Sequence, residues 1–297
     1  MAFREGFVKA LRGKNIIITG ASRGLGVHIA RAMWDNGANL LLVARSTDAL
    51  NGLKKDLETH ATPGQGVYTA TADLGLFEAT DIIIKEACKA WGRLDGLVNN
   101  AGILGPVGPV WENPWNEWEE TIRVNLLAPV SLCRACIEWM KKGRQGKIIN
   151  LSGGGATGPR PNFSAYAVAK TGVVRFTEIL AEEVRDFNIQ VNSIAPGTLN
   201  TDMLEAVLRE DPESVGKDEY DSALKQKEGG GASPERAARL CAFLASSASD
   251  GITGKLISAI WDPWEELPRH IQDLAEGDIY TLRRIVPKER GKGWGDG

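Results

Sequence analysis

Ile16-Ile17-Ile18-Thr19-Gly20-Ala21-Ser22-Arg23-Gly24-Leu25-Gly26 is the stretch on which the reading of this chain turns. The isoleucines form a short apolar run bounded by turn residues, and from Leu25 to Asn36 apolar residues recur at helical spacing. Between the two lie glycines at 20, 24 and 26. A lone Gly-x-x-x-Gly-x-Gly is weak evidence, but between a strand and a helix it aims backbone amides and the helix dipole at an anion. The ligand this turn suits is the pyrophosphate of a dinucleotide.

The alternation continues outward from that turn. Apolar runs at 15–19, 39–44, 66–71, 96–99, 147–151, 189–194 and 255–259 read as seven strands. Segments 25–36, 48–59, 79–91, 115–142, 165–186 and 234–246 read as six helices. Strands alternating with helices form parallel βαβ units, and near-continuous apolar strands suit a sheet covered on both faces. The expectation is an α/β, doubly wound parallel seven-stranded sheet in one domain over residues 1–260, with 261–297 as a C-terminal extension. Residues 201–232 break the pattern. Their acidic, weakly apolar run from Glu210 to Glu219 is expected to be mobile or ordered only by ligand, as a lid would be. The glycine-rich end from Gly291 to Gly297 is expected to be disordered.

Composition narrows the function classes. The chain has 297 residues, 43% hydrophobic and 25% charged, and its net charge of -3 gives no general attraction to nucleic acid. No run of 18 apolar residues occurs, and Met1–Phe7 lacks the apolar core of a secretory signal, so no membrane association and a cytoplasmic location are expected. Cys88, Cys133, Cys136 and Cys241 are too scattered for a disulfide framework. Cys133-x-x-Cys136 lies in a helical segment without a neighbouring histidine, so no metal site is expected.

Further motifs follow the glycine turn in order: Asp73-Leu74, Asn99-Asn100-Ala101-Gly102, Asn125, Tyr166-x-x-x-Lys170, and Pro196-Gly197-x-x-x-Thr201. From about Gly13 to Ala259 the chain resembles the short-chain dehydrogenase/reductase family. The resemblance implies a Rossmann fold, hydride transfer to or from a nicotinamide, a small carbonyl or alcohol substrate, and a Tyr166–Lys170 catalytic pair with Asn125 in a proton relay. It also implies cofactor contacts from Gly20, Ser22, Arg23, Gly24, Leu25, Gly26, Arg45, Asp73, Leu74, Asn99, Ala101, Gly102, Tyr166, Lys170, Pro196, Gly197 and Thr201. Family relatives commonly assemble as homodimers or homotetramers through the helices beginning near Trp115 and Ala165. The residues make their own case for the pair: four apart on a helix, Tyr166 and Lys170 share a face, so the ammonium is expected to favour the ionised phenol.

Two positions qualify the resemblance. Where the family carries its substrate-polarising serine, this chain has Gly153, within Ser152-Gly153-Gly154-Gly155. Three readings stay open: glycine amides replace the hydroxyl for a bulky or hydroxyl-rich substrate, Ser152 is rotated into place as the catalytic hydroxyl, or the chain binds cofactor with little turnover. At the end of the second strand Ala44 stands where NAD-preferring folds place an acid, and Arg45 follows. With Arg23 in the glycine turn, this favours a 2′-phosphate and hence NADP(H) over NAD(H). The expected activity is interconversion of an alcohol and a carbonyl. The alternatives are a catalytically weakened cofactor-binding regulator or scaffold, and an epimerase or dehydratase that uses the nicotinamide transiently.

Overall fold

Successive residues of a strand face opposite sides of a sheet, and the first two strands show where the two cores lie. In β1 (Asn15–Thr19), Ile16 and Ile18 enter one apolar cluster and Ile17 the other. In β2 (Asn39–Ala44), Leu40 and Leu42 join the first, Leu41 and Val43 the second. An unbroken apolar run is therefore what a strand buried on both faces requires.

The computed structural model describes residues 9–200 and 202–294, so the expectations placed on Met1–Phe7, Thr201 and the final residues 295–297 lie outside the described residues. After β1 comes α1 (Gly24–Asp35), and after β2 come α2 (Thr47–Glu58), β3 (Val67–Thr71), α3 (Ala79–Ala90) and β4 (Gly96–Asn99). The chain continues with α4 (Trp115–Ile122), a π-helical turn (Arg123–Leu127), α5 (Ala128–Gly143), β5 (Gly146–Leu151), α6 (Ser164–Glu183) and β6 (Ile189–Ala195). It ends with α7 (Asp202–Arg209), α8 (Pro212–Val215), α9 (Lys217–Glu228), α10 (Pro234–Ala245), β7 (Leu256–Ser258) and α11 (Ile271–Glu276). The seven strands lie in the order β3-β2-β1-β4-β5-β6-β7, all parallel. This is the doubly wound Rossmann sheet that the alternation predicts. The order reverses between β1 and β4, where such sheets open a crevice at the C-terminal ends of their strands.

Side chains of α1, α2 and α10 cover one face, and those of α3, α5 and α6 the other. Cys133 and Cys136 are buried in the second core. Burial pushes the Cys133 thiol up to about 12 and Cys136 well above the usual thiol range, which suits packing rather than reactivity. Among the described residues, no helix is long and apolar enough to cross a membrane.

Two expectations are revised. The helix expected over 115–142 is interrupted by the π-helical turn. The segment expected to be mobile or ordered only by ligand forms α7, α8 and α9. Its few apolar residues fall at helical spacing, so Leu204, Val207, Val215 and Ala223 pack with Leu104 and Phe163 into a third cluster. The acidic run stays on the outside, and the Asp211 carboxylate caps α8 by accepting from the backbone amides of Glu213 and Ser214 at 3.1 Å. Beyond β7, Trp264, Leu267 and Leu274 enter the first core, while Trp261 is exposed. The chain then runs along β7, where the Leu256 amide donates to the Tyr280 carbonyl at 2.8 Å, and reaches α6, where the Leu282 amide donates to Glu178 Oε1 at 2.6 Å.

Candidate active site

The glycine turn is built by close backbone approach. A Cβ at Gly26 would lie 2.0 Å from the Gly20 carbonyl oxygen, so only glycine lets α1 begin against the turn. The turn is tied to the loop after β4: Thr19 Oγ1 accepts from the amides of Asn100 and Ala101 at 3.0 and 3.1 Å, and Asn100 Nδ2 donates to the Thr19 carbonyl at 2.9 Å. At the start of α1, Arg23 makes no side-chain cap and the first turn holds no acidic residue. Unpaired helix amides with a positive dipole end are the donor set a pyrophosphate needs. A nicotinamide dinucleotide therefore fits the residues present.

On the opposite side of the crevice, α6 carries Tyr166 and Lys170 on one buried face. Lys170 Nζ donates to the Leu151 carbonyl at the end of β5 at 2.8 Å and lies 5.7 Å from the centre of the Tyr166 ring. Asn125 sits inside the π-helical turn, fully buried, and its amide answers both backbone groups of Ile103: Oδ1 accepts from the amide at 2.9 Å and Nδ2 donates to the carbonyl at 2.8 Å. Gly102 is the meeting point. A Cβ there would lie 3.1 Å from Asn125 Oδ1 and 3.5 Å from Lys170 Nζ, so its absence lets the amide and the ammonium approach.

The electrostatics differ from expectation. Lys170 was expected to draw the Tyr166 phenol down, but burial pushes the phenol up, and the cation that opposes this is Arg160. Burial also pushes Lys170 down to about 8, which weakens it as a counter-charge.

The glycine run bends away from β5 with Gly155 at φ +87°. A Cβ at Gly153 would lie 2.2 Å from the Tyr166 hydroxyl, so the phenol occupies the space that a side chain at 153 would take. Ser152 stands one residue earlier, and its buried hydroxyl has no hydrogen-bond partner among the described residues, Tyr166 included. Ser164, the first residue of α6, accepts at its Oγ from Trp118 Nε1 at 3.1 Å. Trp118 in turn stacks on Trp115 with ring centres 5.3 Å apart.

The remaining candidates divide between the crevice and the core. Arg45 and Asp73 line a pocket of ≈ 380 Å³ between the ends of β2 and β3 and the start of α3. Asp73 Oδ1 also accepts from the Gly75 amide at 2.9 Å. Arg23 is exposed and paired with Asp202 of α7 at 3.0 Å. Ser22 and Ala101 are half-buried, whereas the side chains of Leu25 and Leu74 pack into the two cores, leaving only their backbone to face a ligand. Pro196 and Gly197 follow β6, with Gly197 at φ +89° against Ile260. Asn99 turns into the sheet, donating to Asn150 Oδ1 at 2.8 Å, so it is Asn100 that reaches the turn.

A model of the short chain dehydrogenase family matches residues 14–212. The chain belongs to this family. It is 34% identical over 245 residues to 3beta-hydroxysteroid dehydrogenase 1 of Eggerthella lenta, covering 82% of this chain and 91% of that protein. Among solved structures, L-sorbose reductase from Gluconobacter frateurii, complexed with NADPH and L-sorbose, superposes with a TM-score of 0.75 at 29% identity, over 84% of this chain and 96% of that one. A gluconate 5-dehydrogenase from Burkholderia cenocepacia, in complex with NADP and tartrate, gives 0.74 at 27% identity, over 86% and 96%. The short-chain dehydrogenase assignment makes the chain a member of an oxidoreductase family with a nicotinamide-binding fold.

Two groups escaped the sequence reading. Asn150 donates to Thr177 Oγ1 at 2.8 Å and Ser193 Oγ donates to Thr177 Oγ1 at 3.2 Å, extending Asn99 into a buried polar ladder beneath the site. Polar residues inside apolar strands were the available signal. Arg160 was the other, its only mark being a lone cation between the glycine run and the tyrosine.

Proposed function

We propose that this short-chain dehydrogenase is an NADP(H)-dependent enzyme that interconverts an alcohol and a carbonyl, with Tyr166 exchanging the proton. The observation that carries this reading is the convergence of Tyr166, Lys170, Asn125 and Gly102 across the crevice from an uncapped helix N-terminus. A bound nicotinamide supplies or takes the hydride. A phenol raised by burial stays protonated at neutral pH, which suits donation to a carbonyl oxygen as negative charge develops there. Lys170, held by the Leu151 carbonyl, titrates close enough to neutrality to return a proton toward Tyr166. The NADP(H) preference is supported by Ala44 and Arg45 at the end of β2 and by solved relatives described with NADP or NADPH. Assembly as a homodimer or homotetramer is supported by the exposed Trp115, Leu127, Val168 and Ile179 on α4 to α6.

Purified protein is expected to enhance NADPH fluorescence and to oxidise NADPH with members of a carbonyl panel. Tyr166→Phe should lower turnover by about 10²-fold or more, the scale of a positioned proton donor, with the fluorescence enhancement kept. Full activity in that variant would overturn the mechanism. A second reading, a cofactor-binding regulator, rests on Gly153 and the unpartnered Ser152 hydroxyl. NADPH binding without turnover across the panel would favour it.

A further inference from the structure

Besides Lys170, one further cation lies close to the Tyr166 ring. The guanidinium of Arg160 lies 3.9 Å from the centre of the Phe163 ring and 5.8 Å from that of Tyr166, and its side chain is only 20% exposed. Its Nε donates to Glu219 Oε1 of α9 at 2.9 Å, and NH2 bonds the same oxygen. An arginine fork commonly spans both oxygens of a carboxylate. Here one edge is gripped by a single oxygen, and NH1 is left on the side of the glycine run, 3.5 Å from where a Cβ at Gly154 would stand. Gly153, whose Cβ position is filled by the Tyr166 hydroxyl, is the next residue along that run. A charged donor and the proton-exchanging phenol therefore border the same short stretch of backbone. The other buried cation of the site, Lys170, is held by the Leu151 carbonyl.

We propose that Arg160 anchors a carboxylate of the substrate, so that the enzyme acts on oxo acids and the corresponding hydroxy acids whose carboxylate lies within a few bonds of the reacting carbon. Glu219 is the positioning residue: it holds the guanidinium by one edge, leaves NH1 on the side of the glycine run, and is itself a carboxylate to which this guanidinium donates. A planar fork favours planar carboxylates, and charge-assisted bonds are about twice as strong as neutral ones. The glycine run contributes by removing side chains that would screen NH1 from the substrate. This inference rests on Tyr166 being the proton-exchanging residue.

The experiment compares matched pairs of oxo acids and their methyl esters as substrates with NADPH, in the wild type and in Arg160→Gln. The wild type should prefer the acid, and Arg160→Gln should lower the acid-to-ester ratio of kcat/KM at least tenfold, a change that a merely structural role would not produce. Arg160→Lys, which keeps the charge, should retain part of the preference. Binding is read separately by calorimetry on NADPH-loaded Tyr166→Phe titrated with a hydroxy acid. Adding Arg160→Gln to that variant should weaken the acid at least tenfold. No acid preference in the wild type, or acid binding unchanged by Arg160→Gln, would overturn the proposal. Undiminished turnover in Tyr166→Phe strikes the proton-exchange mechanism instead.

Discussion

At Lys170, burial and charge oppose each other. Its ordinary value of 10.5 falls to about 8 because the ammonium is buried. Between these two values the unfolded chain binds a proton that the folded chain does not, so this group makes stability rise with pH across that window. Below about 8 the ammonium is charged in both states and the burial cost is fully present. Lys170→Met removes the titration. The unfolding free energy of the wild type relative to Lys170→Met should therefore shift in favour of the wild type between about pH 8 and pH 10.5, read by urea denaturation. A gap that does not change with pH would mean that burial does not disfavour the ammonium. The same scale shows what was legible. Tyr166 and Lys170 stand one helical turn apart, so their shared face follows from local geometry. The state of the phenol did not follow, because it depends on burial and on Arg160, which the turn before α6 brings over the ring.

At the scale of elements, two turns bear on cofactor choice. The β1–α1 turn carries Arg23, but that guanidinium is shared with Asp202 at the start of α7. The β2–α2 turn leaves Arg45 exposed at a pocket, with no hydrogen bond or ion pair to it among the described residues. Arg45 is thus the freer cation for a 2′-phosphate. Arg45→Gln should reduce the preference for NADPH over NADH by about tenfold, the size of one lost charge-assisted contact, in fluorescence titrations with each nucleotide. An unchanged ratio would remove Arg45 from cofactor selection. The π-helical turn was not legible: hydrophobic period sees Trp115 to Lys142 as one helix, while the extra residue per turn is held by the pairing of Asn125 with Ile103, 22 residues away.

At the scale of the molecule, the C-terminal extension belongs to the first core. Trp264, Leu267 and Leu274 are nearly fully buried there, each worth about 1.5–3 kcal/mol against a total stability of about 5–15 kcal/mol. Deleting 263–297 should lower the urea midpoint sharply and promote aggregation, seen as light scattering, because the β7 edge and part of the core become exposed. An unchanged midpoint would show that the extension adds nothing to the fold's stability.

The sequence by itself determined the strands, most of the helices, the glycine turn and the Tyr166–Lys170 spacing, because each rests on contacts within one or two turns of chain. Only the tertiary structure decided that the acidic segment folds as α7 to α9, that the Tyr166 hydroxyl fills the space beside Gly153, and that Glu219 holds Arg160 above the phenol. The last pair is separated by 59 residues, and no local pattern encodes a contact made when α9 packs against the turn before α6.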